Sequence, residues 1–130
     1  MDVYSIPTPA LILDKAALDA NLARMADRAR ALGVDLRPHM KTAKSLEIAR
    51  LATEGFSGAI AVSTLAEAAA FAEAGFRDIH YALGFAPGKA AEAARIAQHP
   101  NVDRLQLTVD SAEAVDAAAA GAAAADVDFE

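Results

Sequence analysis

Ala59-Ile60-Ala61-Val62-Ser63-Thr64-Leu65-Ala66-Glu67-Ala68 reads as a short strand that runs directly into a helix. The apolar run Ala59 to Val62 suits a buried strand. Thr64 followed by Glu67 fits the capping box, in which each side chain satisfies a free backbone N–H of the other's end of the turn. Gly75 supplies the left-handed residue that stops the helix, and Ile79 opens the next apolar run. The same unit recurs along the chain. Strand candidates begin near Val34, Ala59, Ile79, Arg104 and Val127, spaced 20 to 25 residues apart, which leaves room each time for a helix and two loops. Pro87-Gly88 opens the helix after the third candidate, His99-Pro100-Asn101 breaks it, and Asp110-Ser111-Ala112-Glu113 starts another. Upstream, Thr8 to Leu13 is a short apolar run behind two prolines, read as a strand, and Asp14 caps a helix with Leu18, Leu22, Met25, Ala29 and Leu32 on one face and Gly33 at its end.

Regular βα units imply parallel strands joined by right-handed helical crossovers. A doubly wound sheet and a (β/α)₈ barrel both remain open at this point. No Gly-x-Gly-x-x-Gly and no Walker loop follows any strand, so dinucleotide and P-loop readings lose their main support. Polar residues stand instead at the carboxyl ends of successive strands: His39 and Lys41, Ser63 and Thr64, Tyr81, and Asp110. A barrel builds its site from those ends. A full barrel needs roughly 250 residues, and this sequence has 130 and stops inside the fifth strand candidate. The expected fold is therefore α/β, the N-terminal part of a (β/α)₈ TIM-like barrel from a longer protein. A stand-alone α/β domain is the alternative.

Composition narrows the class. Hydrophobic residues make up 55% of the chain, enough for a core, which excludes general disorder. Cysteine is absent, which excludes disulfides, thiolate metal sites and a cysteine nucleophile. A net charge of −6 argues against nucleic acid or an anionic membrane as partner. The first residues lack a basic signal-peptide region, and no apolar stretch approaches a membrane span. A soluble, cytoplasmic protein is expected.

Lys41 carries the chemical interest. If the extended chain persists from Val34 through Pro38, Arg37, His39 and Lys41 point to one side and Lys44 follows closely. In an acidic chain that is a local concentration of positive charge. Neighbouring cations favour the neutral, nucleophilic amine and attract a phosphate-bearing ligand. Charge pattern alone favours the plainer reading of solvated loop lysines. His39 alone reads more readily as a structural residue, Thr64 is accounted for as a helix cap, and Tyr81 as a packed side chain.

Further features weight the balance. Thr8 to Asp14, Leu18 to Leu22, and above all Leu36-Arg37-Pro38-His39-Met40-Lys41-Thr42-Ala43-Lys44-Ser45 resemble the N-terminal half of the D-threonine aldolase and eukaryotic-type D-serine dehydratase family, of the alanine racemase fold type. Val62 to Ala68, Ala72 to Ile79 and Tyr81 to Lys89 are similar to that family as well, so the resemblance spans nearly the whole chain in order. Many members have His where this chain has Ala43, which leaves the lysine intact and the subfamily open.

The resemblance implies that Lys41 binds pyridoxal 5′-phosphate as a Schiff base, with His39, Arg37, Ser63 and Thr64 as cofactor-binding neighbours. It implies residues 1–14 as a strand of a second, β-rich domain, and residues 15–130 as the first half of the barrel. The activity implied is a lyase cleaving or dehydrating a β-hydroxy D-amino acid, with D-threonine cleavage to glycine and acetaldehyde ahead of D-serine dehydration. An amino-acid racemase and a non-catalytic pyridoxal phosphate carrier are the alternatives. A divalent metal (Mn, Mg or Zn) is implied too, with ligands outside this chain, so no metal ligand is expected within it. A homodimer is expected, and the 130 residues alone are expected to be inactive.

Overall fold

A computed structural model describes residues 2–130, and the chain divides into two compact units between Val34 and Asp35. In the first, a 3₁₀ turn at Val3–Ser5 is held by Asp2, whose carboxylate accepts the Tyr4 N–H at 3.0 Å. Helix α1, Lys15–Leu32, starts as expected: the Asp14 carboxylate accepts the Ala17 N–H at 3.0 Å. It stops at Gly33, whose φ of 63° an L side chain adopts only with strain. Along the apolar stripe Ala29 is buried and Leu18 and Leu22 are partly buried, while Met25 and Leu32 stay more than half exposed.

The strand expected at Thr8 to Leu13 is not formed. These residues pair with no strand among the described residues, and Leu11, Ile12 and Leu13 are exposed. A strand exists through hydrogen bonds to a neighbour, and apolar alternation cannot supply one. The assignment of residues 1–14 to a second domain is thus a matter for the proposal below.

The second unit is a three-stranded parallel sheet with helices on one face. Its elements are α2 (Leu46–Thr53), β1 (Ile60–Val62), α3 (Leu65–Glu73), β2 (Asp78–Gly84), a 3₁₀ turn (Pro87–Lys89) leading into α4 (Ala90–Ala97), β3 (Arg104–Thr108) and α5 (Ala112–Ala125). The strands lie in the order β1-β2-β3, all parallel. Ile60, Val62, Ile79, Tyr81 and Leu105 are fully buried against Ala68, Phe71, Ala72, Ala93, Ile96 and Ala114 of the helices. Burying each of the large side chains contributes roughly 1.5–3 kcal/mol. Ala at the helix positions is what lets helix and sheet approach closely. Among the described residues no helix is long and apolar enough to cross a membrane.

The helix starts match the sequence. Thr64 Oγ1 accepts the Glu67 N–H at 3.0 Å, and the Glu67 carboxylate accepts the Ser63 N–H at 2.8 Å. Ser111, rather than Asp110, caps α5 by accepting the Ala114 N–H. Ser45 caps α2, a start the sequence reading left unassigned.

Two expected strands are reduced. The run from Val34 shrinks to one parallel bridge, His39 with Ala61, flanked by Met40 N–H to Ala61 O at 2.8 Å and Ala61 N–H to Pro38 O at 2.9 Å. Pro38 has no N–H to extend the ladder. Near Val127 the chain forms no strand, but Glu130 lies beside β3, exchanging hydrogen bonds with Leu107 N–H (2.7 Å) and Leu105 O (3.2 Å).

Candidate active site

Alternation along parallel strands sorts the sheet into two faces. The face away from the helices carries a row His39, Ala61, His80 and Gln106, by the register His39↔Ala61↔His80↔Gln106. Two residues earlier on each strand lie Arg37, Asp78 and Arg104, toward the amino ends. Two residues later lie Ser63 and Thr108, toward the carboxyl ends.

That geometry disperses the positive cluster expected around Lys41. Arg37 Nη1 donates to Asp78 Oδ1 at 2.6 Å and is also 3.4 Å from Ile60 O. Asp78 is shared with Arg104, which in turn reaches Glu130 Oε2 at 3.0 Å. Arg37 therefore sits at the amino end of the sheet, paired with Asp78, while Lys41 lies past its carboxyl end. Two extended residues carry the chain about 6.6 Å, and after His39 the chain turns rather than continuing extended.

The turn decides where Lys41 sits. The Lys44 N–H donates to Met40 O at 2.8 Å, and Lys44 takes a φ of 45°. At the turn's far end the Lys44 ammonium is 3.0 Å from Glu67 Oε1. At its near end the Lys41 N–H donates to His39 Nδ1 at 3.2 Å. His39 Nε2 in turn faces Ser63 Oγ at 3.5 Å. Lys44 and Thr64 are thereby committed, one to an ion pair and the other to a cap.

Of the four lysines, Lys15 pairs with Asp19, Lys44 with Glu67, and Lys89 donates to Tyr81 Oη at 2.9 Å. Lys41 is exposed, and among the described residues its amine makes no hydrogen bond or ion pair. An aldehyde cofactor requires such an amine, since an ion-paired lysine must first lose its partner. The residues present fit pyridoxal phosphate in this respect: Lys41 would hold it covalently, with His39 and Ser63 alongside. Asp110 follows β3 by two residues. Freed from capping, its carboxylate lies against Gly84, where an added Cβ would come within 2.7 Å of Oδ2.

Charge states around the site follow from its contacts. Burial disfavours the charged form of Glu67, but the Ser63 N–H and the Lys44 ammonium outweigh it and hold the carboxyl below its ordinary value. Burial, then the Arg37 charge, pushes the His80 imidazole down, against the opposing pull of Asp78. His80 Nε2 lies 2.9 Å from Thr108 Oγ1. Sequence reading missed Glu67 as the anchor of Lys44, and Asp78, Gln106 and Thr108 as members of the inner face. A strict two-residue alternation applied to β2 and β3 would have placed the last three. Among the described residues no group of three His, Cys, Asp or Glu could hold a metal ion.

The family model for the alanine racemase N-terminal domain matches residues 13–129. The chain belongs to this family. The D-threo-3-hydroxyaspartate dehydratase of Delftia sp. (strain HT23) is 41% identical over 118 residues, covering 91% of this chain and 30% of its own. The D-serine dehydratase of Dictyostelium discoideum is 37% identical over 117 residues, covering 86% of this chain and 29% of its own. The solved structure of D-threonine aldolase from Filomicrobium marinum superposes with a TM-score of 0.86 at 28% identity, over 98% of this chain and 34% of that one. The α/β unit thus matches the N-terminal portion of alanine racemase-like barrels, as the sequence led one to expect. The chain spans about a third or less of the length of these relatives.

Proposed function

We propose that the protein is a pyridoxal-phosphate-dependent lyase acting on a β-hydroxy D-amino acid, and that Lys41 is its cofactor attachment residue. The observation that carries this reading is the Lys41 amine: unpaired among the described residues, exposed, and presented by a pinned turn at the carboxyl end of the sheet. The names of the similar proteins, dehydratases and aldolases of β-hydroxy D-amino acids, support the same class. When bound, the cofactor supplies an electron sink for bonds broken at the substrate's α-carbon. The chain's own residues supply the attachment amine, a hydroxyl at Ser63 and the imidazole of His39. The Lys41 amine would also be placed to carry a proton.

Cleavage of D-threonine is the reaction we carry forward. Dehydration is the second reading; the chain is 41% identical to the Delftia dehydratase and 38% to the D-threonine aldolase of an Arthrobacter species. Both identities are measured over the part that bears the attachment lysine, so they do not separate the reactions. A divalent metal would be held by residues outside this chain, and a solved D-threo-3-hydroxyaspartate dehydratase variant described as in the metal-free form supports a metal in that relative. We also place residues 8–13 in a second, β-rich domain, since Leu11 to Leu13 are exposed and lack a strand partner here.

The test is product analysis on the full-length protein with D-threonine, D-serine and D-threo-3-hydroxyaspartate, each beside its L enantiomer. Glycine and an aldehyde indicate cleavage, and ammonia with a 2-oxo acid indicates dehydration. Release of neither from any D substrate, or racemisation alone, overturns the lyase reading.

A further inference from the structure

We propose that His39 is a positioning residue for Lys41, acting through the backbone of the turn. The inference rests on Lys41 being the attachment residue. Its ground is a chain of contacts. The Lys41 N–H donates to His39 Nδ1 at 3.2 Å, so Nδ1 is the unprotonated ring nitrogen and Nε2 bears the hydrogen in the neutral ring. Nε2 faces Ser63 Oγ at 3.5 Å, and the Ser63 N–H is held by Glu67 Oε2 at 2.8 Å. Glu67 Oε1 takes the Lys44 ammonium at 3.0 Å, and Lys44 closes the same turn through Met40 O.

The circuit therefore leaves the turn at Lys41 and returns to it at Lys44. His39 is half-buried, fixed by its bridge to Ala61, and it is the one member that touches the Lys41 backbone by a side chain. Lys41 itself is exposed and, among the described residues, its amine is unpaired, so no side-chain contact there fixes where it stands. Its backbone must do so. An attachment lysine held only by a turn is as precise as the turn, and small displacements cost heavily in covalent chemistry.

Two amides divide the imidazole's functions. In His39→Asn, Oδ1 takes the place of Nδ1 and accepts the Lys41 N–H in the manner of an Asx turn. In His39→Gln the longer amide reaches toward Ser63 and leaves the Lys41 N–H unmatched. His39→Leu provides neither. The measurement is the rate at which pyridoxal phosphate with borohydride labels Lys41, paired with hydrogen exchange of the Lys41 amide. Losing one hydrogen bond corresponds to about a tenfold effect, expected in both readouts for His39→Leu and His39→Gln. His39→Asn is expected to stay within about threefold of wild type, the spread such contacts show. Exchange at Ile60 and Val62, unchanged in every variant, shows that the sheet is intact. Equal labelling in wild type, Leu and Gln variants, with wild type labelled at Lys41, overturns the role of His39 alone. Rescue by Gln and not by Asn overturns it too, because Nε2 would then be the working atom. Failure to label Lys41 in wild type overturns the attachment reading, and this inference with it.

Discussion

Arg37 and Asp78 form an ion pair of 2.6 Å at the amino end of the sheet, although Arg37 stands only four residues before Lys41 in sequence. Asp78 opens β2 and also faces Arg104, which reaches on to Glu130, so one carboxylate joins the edge of the sheet to β3. The arginine of the Arg-Pro-His-Met-Lys run thus holds the sheet together beneath the site, while the lysine faces out from its top.

Removing Arg37 is expected to weaken the fold and leave Lys41 chemistry alone. Both side chains of the pair keep about a quarter of their exposure, 27% and 22%, so the full penalty of a buried broken pair does not apply. Arg37→Met is expected to cost about 1–2 kcal/mol. Asp78→Asn costs more, since it leaves two arginines facing a neutral group. Urea unfolding midpoints check the order, and labelling of Lys41 by pyridoxal phosphate is expected to be unchanged in Arg37→Met.

Glu67 ties stability to acid pH. Its carboxyl is held below its ordinary value of 4.5, so above that value the folded state has the full benefit of the ionised form. As pH falls through the lowered value, the unfolded chain binds the proton more readily and the contribution is lost. Glu67→Gln is expected to lower stability near neutral pH and to flatten its decline in acid. Unfolding midpoints at about pH 6 and about pH 3.5, on either side of the ordinary carboxylate range, give the comparison. An unchanged acid slope in the variant contradicts it.

His80 acts in a higher window. Burial and the Arg37 charge push its imidazole below 6.5, while Asp78 opposes them and His39 adds to them. The unfolded chain therefore takes up this proton first, so stability is complete above 6.5 and declines as pH falls toward the folded value. His80→Gln keeps a partner for Thr108 and is expected to remove that part of the slope. A ring-proton titration by NMR with a midpoint at or above the ordinary histidine value contradicts the assignment.

Gly121 sets the approach of α5 to α4. An added Cβ would lie 2.8 Å from Ala90 Cβ and 3.4 Å from the Ala90 carbonyl, atoms that cannot rotate away. Gly to Ala inside a helix gains up to about 1 kcal/mol, and overpacking costs about 1–3 kcal/mol. The steric cost wins, so Gly121→Ala is expected to lower the unfolding midpoint. A rise in the midpoint would show that the helices slide apart freely.

Much of this was legible in sequence because it depends on local chemistry. Asp14, Thr64 and Ser111 are caps whose partners lie within four residues, and the βα period follows from their spacing. What escaped depends on partners distant in the chain. Extended alternation carried through Lys41 predicts Arg37 beside it, but after His39 the chain turns. The true partner of Arg37 lies 41 residues on. Thr8 to Leu13 has a strand's composition without a strand's neighbour. Glu67 was read as half of a capping box, and nothing local shows that its second oxygen takes Lys44 from across the turn.

The central claim is that Lys41 is the attachment lysine, and mapping the site of covalent labelling tests it most directly. The protein is mixed with pyridoxal phosphate, reduced with borohydride, digested, and the peptides are weighed. The account predicts one pyridoxyl group on Lys41, none in Lys41→Ala, and little on Lys15, Lys44 and Lys89, whose amines are already engaged. Label spread evenly over the four lysines, or label that persists in Lys41→Ala, would contradict it.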